Sequence, residues 1–248
     1  MKLYRNKIAA SLASALILSS VLAAPVYAQE DVEKSAEKNQ SMDELWGDSG
    51  LDNAKHANAD RGDWFAQDKY SMFIHWGLFS IPAGEWKGKT YYGISEWLMS
   101  GRVAGIPKEE YKELAKEFNP TAFDAKAIVQ LAVDAGMKNI VITAKHHEGF
   151  AMYNSKSSTY DIEDASPFKR DPLKELAEAC KEAGIGLGFY YSQMQDWYEQ
   201  GSASIPWSSE KQEGDFTEYF ERKVIPQVTE LLTEYGPIRT VWFDTPGD

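Results

Sequence analysis

The chain of 248 residues has a single cysteine, Cys180. One thiol cannot build a disulfide framework. Cys180 falls in the apolar stripe of a predicted helix, where a small buried hydrophobe is a better expectation than a nucleophile. Positive charge is also scarce, since 26 Lys and Arg against 38 Asp and Glu leave a formal net charge of −12. Such a chain is repelled by nucleic acid and by anionic membrane surfaces, while a small neutral ligand remains compatible. No GxGxxG follows the first predicted strand, so the fingerprint of a dinucleotide-binding sheet is missing. The apolar run from Ile8 to Ala24 is interrupted by Ser11, Ser14, Ser19 and Ser20 and is short for a membrane span.

That run has another use. It follows Lys2, Arg5 and Lys7 and leads into Pro25-Val26-Tyr27-Ala28, which reads as a secretory signal peptide over residues 1–28, cut after Ala28. Export to the periplasm or the extracellular space follows, with no membrane attachment after cleavage. Loss of the three basic residues takes the formal charge from −12 to −15. Residues 29–59 are acidic, polar and without apolar periodicity, and read as an arm. Residues 60–248 carry the folded part. The 43% hydrophobic and 13% aromatic content supports a large core there.

Within it, apolar strands alternate with amphipathic helices. Strands are expected at 71–76, 139–144, 186–192 and 240–244, and helices at 108–117, 124–135, 172–183 and 216–235. The last helix needs a kink or a break at Pro226. A long Gly- and aromatic-rich loop, 77–107, separates the first strand from the first helix, and loops of that length in a compact domain are usually functional. The alternation argues for parallel βα units. Polar or aromatic clusters follow every strand rather than one switch point, which favours a (β/α)8 TIM barrel over an open doubly wound sheet, with about the first four βα units present.

The final strand, Thr240-Val241-Trp242-Phe243-Asp244, places a carboxylate at its C-terminal lip. Period-two alternation sets Trp242 and Asp244 on one face. Barrel enzymes keep their chemistry at this end of the strands, although a solvated turn Asp before Thr-Pro-Gly is the plainer alternative. Three further strand-end sets share the address: His75-Trp76-Gly77, His146-His147 and Tyr190-Tyr191. Two adjacent His on one strand are a poor chelate, so a metal site would have to recruit His75 and Asp244. Imidazoles together with Trp and Tyr rings better suit a polyhydroxylated ligand with an apolar face. Capping of strand ends could account for one histidine, but three of the 4 in the chain lie at strand ends.

The segments Met72-Phe73-Ile74-His75-Trp76-Gly77-Leu78-Phe79-Ser80, Ser95-Glu96-Trp97, Lys145-His146-His147-Glu148-Gly149-Phe150, Phe189-Tyr190-Tyr191-Ser192 and Val241-Trp242-Phe243-Asp244 resemble the α-L-fucosidases of glycoside hydrolase family 29. The likeness runs from about Trp64 to the end. It implies a retaining exo-glycosidase that removes terminal α-L-fucosyl residues from glycans or glycoconjugates, with Asp244 as nucleophile; no cofactor or metal is expected. It also implies that His75, Glu96, His146, His147 and one of Tyr190 and Tyr191 bind fucose hydroxyls, with Trp97 and Trp242 in the same set. Glu148 stands where many relatives carry Asp, which puts at most a loop contact in doubt.

A retaining enzyme also needs a second carboxyl group ~5 Å from the nucleophile to act as acid/base. The resemblance implies that it comes from beyond the fourth strand, and thus after Asp248. Glu96, Glu85, Glu148 and Asp196 are the candidates within the chain, Glu96 being a sugar-binding residue by the same resemblance. Four strands expose two sheet edges, so pairing with a C-terminal half or with another copy is expected. A catalytically incomplete fucose-binding fragment and a metal-dependent hydrolase on a related barrel are the alternative functions.

Overall fold

The computed structural model describes residues 63–203, 207–210 and 212–244. The signal peptide and the arm expected over residues 1–59 lie outside them. After a short helix α1 (Asp63–Asp68), four parallel strands form one sheet: β1 (Ser71–Ile74), β4 (Asn139–Lys145), β5 (Gly186–Tyr191) and β6 (Ile238–Phe243), in the order β1-β4-β5-β6. Every residue of β4 is buried, as expected of a continuous apolar run covered on both faces in a parallel sheet. The edge strands β1 and β6 are half exposed.

The crossovers carry helices whose ends are written in the sequence. Asp124 caps α3 (Ala125–Asp134) by accepting from the Ala127 N–H at 3.0 Å. Asp171 caps α4 (Pro172–Ala183) through the Lys174 N–H at 2.9 Å, with Pro172 in the first turn. Gly184 ends α4 in the left-handed region at φ 70°, where a residue with a Cβ is disfavoured. The apolar faces of these helices meet the outer face of the sheet. Val129, Ala132, Leu173, Leu176 and Cys180 join Ile140, Ile142, Leu187 and Phe189 in one cluster. Burial there raises the Cys180 thiol to about 11 and makes it inert.

Three elements depart from expectation. The helix expected over 108–117 begins as α2 (Lys108–Tyr111) but continues as a 3-10 segment, Lys112–Glu117, a tightening common at helix ends. The long loop contains a hairpin, β2 (Glu85–Trp86) with β3 (Lys89–Thr90). Its turn residues Lys87 and Gly88 both have positive φ, 49° and 76°, as a type I′ turn requires. The last helix continues through Pro226 without a break. It runs as α5 (Phe216–Tyr219), a π-helical turn Phe220–Val224 and α6 (Ile225–Glu234). Pro226 cannot donate to the carbonyl four residues back, and the wider turn just before it accommodates that loss. The same turn carries the fully buried Lys223.

Candidate active site

The strand ends converge. His75 follows β1, whose attachment to β4 is prolonged by Thr143: its hydroxyl accepts from the Trp76 N–H at 2.9 Å and donates to the Trp76 carbonyl at 2.5 Å. His146 and His147 follow β4, Tyr190 lies in β5, and Asp244 follows β6. The Tyr190 hydroxyl donates to Asp244 Oδ2 at 2.7 Å, and His147 Nε2 lies 3.7 Å from the same oxygen. The His146 ring stacks on Tyr190 at 4.9 Å and 7°, and His75 lies 5.5 Å from His146 and 5.2 Å from Tyr190. Glu96, on a 3-10 turn Ser95–Trp97 of the long loop, brings Oε1 within 3.7 Å of His75 Nδ1. Trp97 meets the edge of His147 at 5.2 Å.

Burial decides the charge of these groups. Desolvation lowers both histidines that follow β4, His146 well below its ordinary value and His147 to about 4, despite the opposing attraction of Asp244 for His147. At neutral pH both are uncharged imidazoles. Each can donate one hydrogen bond and accept one, as recognition of hydroxyl groups requires.

The sequence left Tyr190 and Tyr191 undivided, and the structure separates them. Tyr191 is not in the pocket: it points to the outer face, fully buried, and its hydroxyl donates to Gln227 Oε1 of α6 at 2.7 Å. Trp242 is on the inner face beside Asp244, 53% exposed, with its ring edge-on to Phe73 at 5.3 Å. Phe73 is itself 40% exposed, so the inner face of the arc is open.

Asp196, one of the carboxylates named as acid/base candidates, is committed elsewhere. Asp196 is fully buried between Lys145 Nζ at 3.0 Å and Lys223 Nζ at 2.9 Å, all three side chains having no exposed surface. Burial alone would raise its pKa, but the two ammonium groups outweigh that and hold the carboxyl at about 2, where it cannot donate a proton. Gly149, at φ 83°, is what allows the backbone this close, since a Cβ there would stand 2.2 Å from Asp196 Oδ1. Glu148 is buried under His146, Oε2 lying 3.9 Å from His146 Nδ1, and desolvation raises its carboxyl to about 8. Its carboxyl thus packs against a histidine of the strand-end cluster, where a loop contact was expected. Glu85 is exposed on the hairpin. The sequence reading gave no role to Lys145, quoted only within a motif, and did not single out Lys223. A lysine closing an otherwise apolar strand was the available signal for the first.

Among the described residues, one group of side chains could hold a metal ion: His75, Glu96 and His146 offer ligand atoms within 4.8 Å of one another. The metal alternative weighed from sequence would instead have recruited Asp244.

A family model described as Alpha-L-fucosidase matches residues 37–248, beginning inside the segment read as an acidic arm. Alpha-L-fucosidase 1 of Arabidopsis thaliana is 39% identical over 178 residues, covering 70% of this chain and 28% of its own. Plasma alpha-L-fucosidase of Homo sapiens is 31% identical over 192 residues, covering 74% and 39%. Among solved structures, alpha-L-fucosidase AlfC from Lactobacillus casei in complex with α-L-fucose product superimposes with a TM-score of 0.70 at 44% identity, covering 75% of this chain and 62% of that one. An Asp-to-Ala mutant of AlfC has been solved with 4-nitrophenyl-α-L-fucopyranoside substrate. The chain thus spans well under half the length of these two curated relatives. With the barrel arc, the strand-end cluster and this match over most of its length, the chain belongs to the α-L-fucosidase family.

Proposed function

We propose that this chain carries the sugar-binding ring and the nucleophile of a retaining α-L-fucosidase acting on terminal fucosyl residues of glycans or glycoconjugates. The observation that carries the reading is the setting of Asp244. Its carboxylate stands at the open lip of the arc, held by the Tyr190 hydroxyl and faced by a neutral buried imidazole. A carboxylate oriented in this way can attack an anomeric carbon, while His75, Glu96 and His146 take the hydroxyls of the sugar. Protonation of the leaving oxygen falls to a carboxyl group outside this set, because Asp196 is clamped between two lysines and Glu148 lies beneath His146. A complete barrel is the setting in which turnover is expected.

The test uses 4-nitrophenyl α-L-fucopyranoside and a form of the protein extended through a complete barrel. Asp244→Gly should abolish turnover while L-fucose still binds, and azide should restore part of the rate by attacking in the vacated space. Near-normal turnover without azide would remove Asp244 from the nucleophile role. The grouping of His75, Glu96 and His146 supports a second reading, a metal-dependent hydrolase, which predicts instead that chelation abolishes activity.

A further inference from the structure

The proton on the His147 ring can be located from the bonds around it. Its side chain has no exposed surface, and Nδ1 lies 2.7 Å from Ser192 Oγ. Ser192 Oγ also lies 2.8 Å from the Gln195 carbonyl. A carbonyl can only accept and a hydroxyl has one hydrogen, so the Ser192 hydrogen is committed to Gln195. The contact at 2.7 Å is then a hydrogen bond only if Nδ1 carries the proton and Ser192 Oγ accepts it. A neutral imidazole has one such proton. Nε2 is left as a bare lone pair, buried, without a hydrogen-bond partner, and 3.7 Å from Asp244 Oδ2.

We propose that Ser192 is a positioning residue: it locks His147 in the Nδ1–H tautomer, so that Nε2 accepts a hydrogen bond from the substrate hydroxyl that sits beside Asp244. Two acceptors facing each other repel unless a donor stands between them, so this point of the pocket selects for a group that brings a hydrogen. A fluorine or an ether oxygen at the same place brings none. The proposal rests on the reading of this pocket as a fucoside site.

The loop after β5 is shaped around this task. The Trp197 N–H donates to the His147 carbonyl at 2.6 Å, and the Trp197 indole N–H donates to Gln195 Oε1 at 3.2 Å. The rings of Trp97 and Trp197 both lie 5.2 Å from the imidazole. Backbone, Nδ1 and ring of His147 are thereby contacted from one segment, Ser192 to Trp197, plus Trp97.

The decisive measurement is the 15N spectrum of the ligand-free protein labelled on histidine. Only 4 histidines contribute, and His147→Gln identifies the signal of interest by its loss. The expected result is a neutral His147 with a protonated Nδ1 and a bare Nε2. Ser192→Ala should convert it to a mixture of tautomers and weaken L-fucose binding about 10-fold, the scale of one buried donor losing its acceptor. A His147 protonated on Nε2 in the unmodified protein would overturn the proposal, and so would an unchanged tautomer or unchanged fucose affinity in Ser192→Ala. The spectrum of the unmodified protein decides the assignment even where Ser192→Ala fails to fold. Failure of the unmodified protein to bind L-fucose would count against the fucosidase reading, while the tautomer would still be decided by the spectrum.

Discussion

Tyr190 donates its phenolic proton to Asp244 Oδ2 at 2.7 Å, across two neighbouring parallel strands. In the ladder Tyr190 stands opposite Trp242, so the phenol leans two residues along β6 to reach the carboxylate. Burial and this bond push the phenol far above its ordinary pKa, so it remains a donor at every ordinary pH. The bond orients the carboxylate at the lip of the sheet.

From this, Tyr190→Phe and Tyr191→Phe should have opposite signatures. In a form extended through a complete barrel, loss of the Tyr190 hydroxyl should slow hydrolysis of 4-nitrophenyl α-L-fucopyranoside ~10- to 100-fold, because the Asp244 carboxylate loses the bond that orients it. Tyr191→Phe should leave the rate alone and lower unfolding stability by about 1–2 kcal/mol, since Gln227 is left with a buried unpaired oxygen. Urea unfolding beside kinetics tests both, and a rate defect confined to Tyr191→Phe would reverse the assignment.

For the sugar ring, His75→Ala and His146→Ala should each weaken L-fucose binding by about 1–3 kcal/mol, because each leaves a sugar hydroxyl without its partner. Titration calorimetry reads this directly. EDTA should change neither binding nor rate. Activity lost to EDTA and regained with zinc would support the metal reading of His75, Glu96 and His146.

Stability should pass through a maximum near pH 6.5. Burial, reinforced by Asp196 and Glu96 against the pull of Lys145, raises Glu148 from 4.5 to about 8. In that window the folded state keeps a proton that the unfolded state has released, so stability falls as pH rises. His146 and His147 act in the opposite sense below 6.5: they stay neutral when folded but charge when unfolded, so stability falls as pH drops. Glu148→Gln should remove the alkaline limb, which amounts to on the order of 2 kcal/mol between pH 6.5 and 8. Urea midpoints at those two pH values provide the comparison. Equal losses in both proteins would show that Glu148 is already ionised when folded.

The Lys145–Asp196–Lys223 triad should be sensitive to which member is removed. Asp196→Asn strands two buried ammonium groups and should cost about 3–5 kcal/mol, whereas Lys223→Met leaves the Lys145–Asp196 pair and should cost less. Denaturant unfolding of the two variants orders them. The reverse order would mean that Lys223 is held chiefly by its bonds to Gly149 and Glu199.

Much of this molecule is local and was therefore legible. The apolar run 139–144 read as a buried strand, which the structure extends by one residue to Lys145, and Pro172 in the first turn with Gly184 at the stop bounded a helix. Strand ends carrying His75, His146, His147 and Asp244 announced the lip of the sheet because side-chain alternation and βα order are properties of the chain itself. The turn at Lys87-Gly88 was readable in principle, but Lys-Gly is a weaker hairpin signal than Asn-Gly or Asp-Gly.

What the tertiary structure decided is which neighbour each polar group meets. Tyr190 and Tyr191 are equivalent in sequence until the register with β6 and the packing of α6 put one beside Asp244 and the other on Gln227. Asp196, Glu148 and Asp244 are three carboxylates of similar intrinsic acidity. Two lysines brought in from β4 and from the π-helical turn pull Asp196 down to about 2, and burial beside His146 lifts Glu148 to about 8. Asp244 alone is left at the open lip, bonded by a phenol. Charge state depends on desolvation and on distances of a few ångströms between residues far apart in the chain, and those distances exist only once the chain has folded.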